Sequence, residues 1–161
     1  MKRAVLDEPG LIRWGRVIGE SAAREAVFVA LHGPLGAGKT CLTQAACAGV
    51  GVHETVTSPT YTLVHWYDGD RGTVAHADLY RIAHASELPA LGWEELESHP
   101  GPVFVEWAER AGEELPPDRW EIRLDFAADG ALRTVTAHAL GDAPPIPDPG
   151  PCAAPAREAS C

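Results

Sequence analysis

Cysteine, lysine and long apolar runs are all scarce in this 161-residue chain, and each shortage removes a class of protein. The four cysteines, Cys41, Cys47, Cys152 and Cys161, include no C-x-x-C pair and no histidine neighbour at metal-ligand spacing. Cys41 and Cys47 fall on one expected helix but on different faces of it. Neither a disulfide framework nor a zinc site is expected, and the pattern suits a reducing cytoplasm. No stretch approaches the roughly 18 apolar residues that span a membrane, and MKRAVLDEPG lacks the apolar run of a signal peptide. Positive charge is short as well: 13 Lys and Arg stand against 23 Asp and Glu, a net charge of -10. That balance argues against a broad nucleic-acid groove of the chain's own, while leaving room for a local basic patch or a partner that holds nucleic acid. Only Lys2 and Lys39 are lysines. No Ser-His-Asp or Cys-His arrangement can be read from the remaining residues.

What is present is ordinary for a globular domain. The chain is 45% hydrophobic and 22% charged. A chain of this length buries roughly two-thirds of its extended surface, enough for one core. The expected elements are a short edge strand at 2–6 and a helix at about 9–23, where Leu11, Trp14, Val17 and Ile18 recur at helical spacing. An apolar strand follows at 26–31, then a glycine-rich loop, then a helix ending near Gly49. Residues 55–60 read as a loop, 61–67 as a strand, 69–72 as a turn and 73–80 as a strand ending in an acid. A helical or mixed segment covers 84–98, a third strand 103–107 also ends in an acid, and 120–126 pairs with 131–139 as a hairpin. The tail from Ala143 to Cys161 holds six of the 14 prolines and reads as unstructured, which sets the domain at 1–142 and the tail at 143–161.

The informative stretch is GPLGAGKT, residues 33–40. It has the G-x-x-x-x-G-K-T spacing of a phosphate-cradling loop, and it sits between a strand and a helix, the context that motif requires. Gly33, Gly36 and Gly38, with Ala37 between the last two, let the backbone turn tightly and aim N–H groups at phosphate oxygens. Lys39 reaches the β- and γ-phosphates and Thr40 offers a hydroxyl to magnesium. The helix N-terminus adds positive potential. Hydrolysis needs a further magnesium contact and a means of placing water. Asp78 and Glu106 are the candidates, since each ends an apolar strand and parallel strands point such ends into one crevice. Asp78 holds magnesium directly or through water; Glu106 orients the attacking water or joins the metal shell. Thr60, in SPT, is placed where a nucleotide sensor would touch magnesium or the γ-phosphate, although an ordinary loop explains it equally well. Trp107 either flanks the nucleotide or packs in the core, and His76 either shapes the crevice or is a packed histidine.

The set GPLGAGKT, SPTYTLV, HADLYR and VEW, in this order within residues 33–107, resembles the TsaE (YjeE) family, and LGWEEL at 91–96 echoes a further family region. The resemblance covers roughly residues 5–140. It implies an α/β fold, a single P-loop NTPase-like domain with a central mixed sheet and C-terminal antiparallel strands. It implies ATP and Mg2+ as ligands, with Lys39 and Thr40 in the loop, Thr60 in a switch-like segment, Asp78 as the Walker B-like acid, and Glu106 as second catalytic carboxylate beside Trp107. It also implies a slow ATPase that works with the TsaD–TsaB pair in threonylcarbamoylation of adenosine 37 of tRNA, the tRNA being held mainly through the complex. Two positions depart from the family pattern. Pro34 stands where Asp is common. Cys41 stands where Ser or Thr is common, which would leave a weaker donor near the α-phosphate and a looser nucleotide affinity. Two other readings remain: a small-molecule kinase, for which Arg81 and Arg110 are the available clamps, and a nucleotide-gated binding subunit with vestigial hydrolysis.

Overall fold

A computed structural model of the chain describes residues 1–59, 61–128 and 130–150. Strand β1 (Lys2–Leu6) leads into helix α1 (Glu8–Glu25). The helix begins where it does because the Asp7 carboxylate accepts the Gly10 N–H at 2.8 Å and Pro9 needs no N–H partner in the first turn. Leu11, Trp14, Ile18 and Ala22 form its buried stripe. Its end differs from expectation. Ala26 closes the helix in the left-handed conformation (φ 51), so β2 starts later than expected and spans Phe28–His32. Helix α2 (Lys39–Val50) follows the glycine-rich loop.

The next two strands form an antiparallel pair, β3 (Val64–Gly69) and β4 (Gly72–Asp78). Residues 61–63 are not strand: the Leu63 N–H donates to the Pro59 carbonyl at 2.7 Å, and Leu63 itself is left-handed (φ 64). β4 stops at Asp78 because the Asp78 carboxylate turns to accept the Tyr80 N–H at 2.9 Å. The mixed segment resolves into a 3-10 stretch at Ala85–Leu91 and a short helix α3 (Trp93–Glu97). Strand β5 (Val103–Glu106) and the hairpin β6 (Arg119–Phe126) and β7 (Arg133–Leu140) complete the sheet.

The seven strands lie in the order β1-β7-β6-β2-β5-β4-β3. β4, β5, β2 and β6 run parallel, and the antiparallel partners sit outside them. The fold is therefore a single α/β domain with a mixed sheet. Helices α1 and α2 cover one face, packing Leu11, Trp14, Ile18, Leu42 and Val50 against Val29, Leu31, Phe104, Trp120, Ile122 and Leu124. The opposite face is covered over β2, β5 and β4 by Leu88, Trp93, Leu96 and Ala108. Among the described residues no helix is long and apolar enough to cross a membrane.

The described part of the proline-rich tail, 143–150, corrects the expectation of an unstructured segment from Ala143. It packs against the helical face, where Ile146 is buried and joins the core. The indoles of Trp120 and Trp14 donate to the Pro144 and Pro147 carbonyls at 2.6 and 3.2 Å, and Lys2 reaches Asp148 at 3.3 Å. Proline fixes the backbone of this strap while leaving its carbonyls free to accept, so a proline-rich composition is compatible with order once two tryptophan donors face it. Residues 151–161 lie outside the described residues.

The two helices cross at small residues. A Cβ added to Gly19 would fall 1.9 Å from the Ala46 carbonyl oxygen, a backbone atom that cannot swing away. Gly19→Ala is therefore expected to lower unfolding free energy by roughly 1–3 kcal/mol. Val17→Ala, at an exposed position of the same helix, should change it by no more than about 0.5 kcal/mol. Urea unfolding of the two variants measures the contrast.

Candidate functional site

The parallel strands direct their C-terminal ends to one edge of the sheet, where a ligand crevice is expected in such folds. At that edge β2 passes into the loop at Gly33, which has φ 132 and no room for a side chain: a Cβ there would lie 2.0 Å from the Leu124 carbonyl oxygen of β6. The loop then curls so that α2 begins at Lys39. A cavity of about 340 Å³ opens in front of it, lined by Gly36, Gly38, Lys39, Thr40, Cys41, Ser58, Asp78, Tyr80, Glu106 and Trp107.

Lys39 is largely buried, and its ammonium donates to the carbonyls of Gly33 at 2.6 Å and Pro34 at 3.0 Å. The ammonium also lies 3.7 Å from the centre of the Trp107 ring, a cation–π contact. Burial pushes the Lys39 pKa below its ordinary value, against the opposing pull of Glu106, Glu109 and Asp78. Trp107 reaches this place through a left-handed backbone (φ 58), a strained choice for a bulky residue and a common mark of functional sites. The Tyr80 ring, 5.0 Å away, continues the wall.

The two acids are register partners at the ends of β4 and β5. Glu106 is buried and held at both oxygens: Thr40 donates its hydroxyl to Oε2 at 2.8 Å, and His76 Nε2 lies 2.9 Å from Oε1. Asp78 accepts the Ser58 hydroxyl at 2.6 Å as well as the Tyr80 N–H. Among the described residues no three His, Cys, Asp or Glu side chains converge to hold a metal by themselves. Thr40, Asp78 and Glu106 nonetheless offer hard oxygen donors side by side, the partial set that suits magnesium, which completes its shell with water and phosphate oxygens.

A second cavity of about 220 Å³ meets the first at Gly36, Gly38 and Cys41, and is otherwise lined by Glu8, Leu11, Ala131 and Arg133. Arg133, on β7, donates to the loop carbonyls of Ala37 at 3.1 Å and Gly36 at 3.5 Å and lies over the Phe126 ring.

Of the residues singled out from sequence, Gly36, Gly38, Lys39, Thr40, Cys41, Asp78, Glu106 and Trp107 converge on the first cavity. Gly33 contributes its carbonyl behind the loop, and Ala37 is buried within it. Thr60 lies outside the described residues. Arg81 lies over Tyr61 and Arg110 donates to the Ile82 carbonyl, so neither lines the cavity. Sequence reasoning missed three partners. Ser58 stood beside Thr60 in the same SPT segment, and its hydroxyl was signal enough to include it. His76 was noticed but not joined to Glu106, which lies 30 positions away. Arg133 is almost a hundred positions from the loop and carries no local signal.

The model of threonylcarbamoyl adenosine biosynthesis protein TsaE matches residues 7–134. The chain belongs to the TsaE family. A tRNA threonylcarbamoyladenosine biosynthesis protein TsaE of Treponema pallidum is 41% identical over 118 residues, 73% of this chain and 86% of that one. The corresponding protein of Streptomyces coelicolor is 38% identical over 125 residues, 74% and 84% of the two chains. The crystal structure of Bacillus subtilis YdiB superimposes with a TM-score of 0.66 at 28% identity, covering 88% of both chains. The fold is P-loop NTPase-like, as in other TsaE family members.

The two described cysteines differ in reach. Burial, and then the Glu8 charge, push the Cys41 thiol up; burial alone pushes Cys47 up to about 12. A raised thiol pKa means less thiolate at a given pH and slower alkylation. At pH 8, peptide mapping after iodoacetamide treatment should show Cys41 modified more slowly than an unfolded-chain cysteine, and Cys47 unmodified until the protein unfolds. Alkylation of Cys47 in the folded protein at the rate of Cys41 would contradict this core.

Proposed function

We propose that this chain is the ATP-binding and ATP-hydrolysing subunit of tRNA threonylcarbamoyladenosine synthesis. The observation that carries the reading is the convergence of Lys39, Thr40, Asp78 and Glu106 on one cavity in front of a glycine-rich loop and a helix N-terminus. The pathway is supported by the names of the relatives.

The residues divide the work. Loop N–H groups and the head of α2 bind the phosphates, and Lys39, held at the loop by two carbonyls, supplies the positive charge. Thr40 and Asp78, with Glu106 beside them, would hold magnesium, which would supply positive charge to offset the phosphate charge of ATP. Glu106, fixed at both oxygens, orients the attacking water. Trp107 and Tyr80 wall the site and limit other water. The second cavity continues from Cys41 toward α1 and takes the nucleoside half of ATP. Pro34 is tolerable here, because it contributes a carbonyl rather than a side chain.

The partners are TsaD and TsaB, with tRNA held mainly by the complex. The net charge of -10 supports that division. So do the exposed Leu35 and Tyr80 side chains at the cavity mouth, apolar surface that a docked protein would cover. The Ser58–Asp78 hydrogen bond couples the loop before Thr60 to the metal-binding acid, which favours one second reading: ATP binding alone closes that loop and hydrolysis is incidental.

The test is ATP hydrolysis by the purified protein, alone and with TsaD–TsaB and tRNA. Stimulation by the pair that is lost in Asp78→Ala supports the first reading. An unchanged rate in a confirmed complex supports the second. Lys39→Ala should weaken ATP affinity roughly 10- to 100-fold, the scale of one lost charge-assisted hydrogen bond. ATP with magnesium should further slow Cys41 alkylation, and isolated protein should not bind tRNA tightly at physiological salt.

A further inference from the structure

His76 is fully buried in β4 and does not line the nucleotide cavity. Its Nε2 lies 2.9 Å from Glu106 Oε1, while its Nδ1 is buried with no hydrogen-bond partner among the described residues. A carboxylate only accepts, so the bond requires the proton on Nε2, and a neutral ring then leaves Nδ1 as an unmatched acceptor. An unmatched buried polar atom is costly, and an apolar residue of similar size would avoid it. The position keeps a histidine at that cost because the ring delivers one donor to Glu106 from below the crevice. The other Glu106 oxygen is taken by Thr40 at the head of α2. One carboxylate is thus fixed at two points supplied by two different elements.

We propose that His76 is a positioning residue for the hydrolysis step: it locks the Glu106 carboxylate in the orientation from which that group acts on water. The proposal rests on the ATPase reading above. His76 does not line the cavity assigned to nucleotide and metal, so its loss should reduce turnover and leave nucleotide binding in place.

Three variants test it: His76→Phe, which keeps volume and removes the donor; His76→Gln, whose amide N–H reaches the place of Nε2; and His76→Asn, too short to reach Glu106. kcat for ATP hydrolysis, affinity for a fluorescent ATP analogue and thermal melting are read on each. The Phe variant should lose roughly 10- to 100-fold in kcat, the scale of a misplaced group whose support is removed, with analogue affinity within about twofold. The Asn variant should reproduce that loss if the Phe variant does not fold, and the Gln variant should restore most of the rate. Equal kcat losses in Gln, Asn and Phe variants that track their melting temperatures would overturn the proposal in favour of a packing role. Full activity in the Phe or Asn variant alongside an inactive Glu106→Gln would overturn it while leaving the ATPase reading intact. If Glu106→Gln also hydrolyses normally, the assigned role of Glu106 fails, and the positioning role with it.

Discussion

A lysine ammonium buried at the head of a helix is the constraint to which the rest of this domain answers. Lys39 cannot be left unpaired, and here it is met by two loop carbonyls, the face of Trp107 and the nearby negative charge of Glu106, Glu109 and Asp78. Each partner has to be delivered by a different element. The carbonyls need a loop that turns back on itself within a few residues. The indole needs the left-handed step after β5. The acids need β4 and β5 to end level with each other, and their parallel register puts Asp78 opposite Glu106. The central parallel strands and the close α1–α2 contact are what hold those deliveries in place.

The same demand explains why the site is more polar than the core around it. His76, Asp78 and Glu106 are buried on the sheet face that otherwise packs apolar side chains against α1 and α2, and Thr43 is buried on α2. Thr43 returns its hydroxyl to the Lys39 carbonyl at 3.1 Å, and the acids are satisfied by Thr40, Ser58 and a backbone N–H. A crevice built this way has its dipoles already oriented by hydrogen bonds, the arrangement in which fixed donors stabilise charge at little cost of reorganisation.

How much of this was legible depended on how local each cause is. The cradle was readable because glycine spacing, lysine and threonine follow one another within eight residues, and the acids were readable because each ends an apolar run. The mixed sheet followed as a class from the family resemblance, whereas its strand ends were shifted by single-residue events, namely the left-handed Ala26 and Leu63 and the Asp78 carboxylate that accepts the Tyr80 N–H. The strap at 143–150 was misread because proline content speaks only for the segment itself. Its order comes from Trp14 and Trp120, more than a hundred and about two dozen positions away. Arg133 and its loop carbonyls are of the same kind: both partners are ordinary residues until the sheet brings them together.

Two family departures can now be weighed by what their atoms touch. Pro34 removes an acidic side chain but keeps the carbonyl that accepts from Lys39, and a fixed φ suits a position whose backbone does the work. Cys41 is the larger change. It lies where the two cavities meet, and its thiol, raised by burial and by Glu8, stays protonated and donates only weakly. Any loss of nucleotide contact at Cys41 falls on the side of Glu8, Leu11 and Arg133, away from Lys39, Asp78 and Glu106. On the proposed reading the departure bears on how firmly the nucleoside end is held, while Asp78 and Glu106 stay where the register of β4 and β5 sets them.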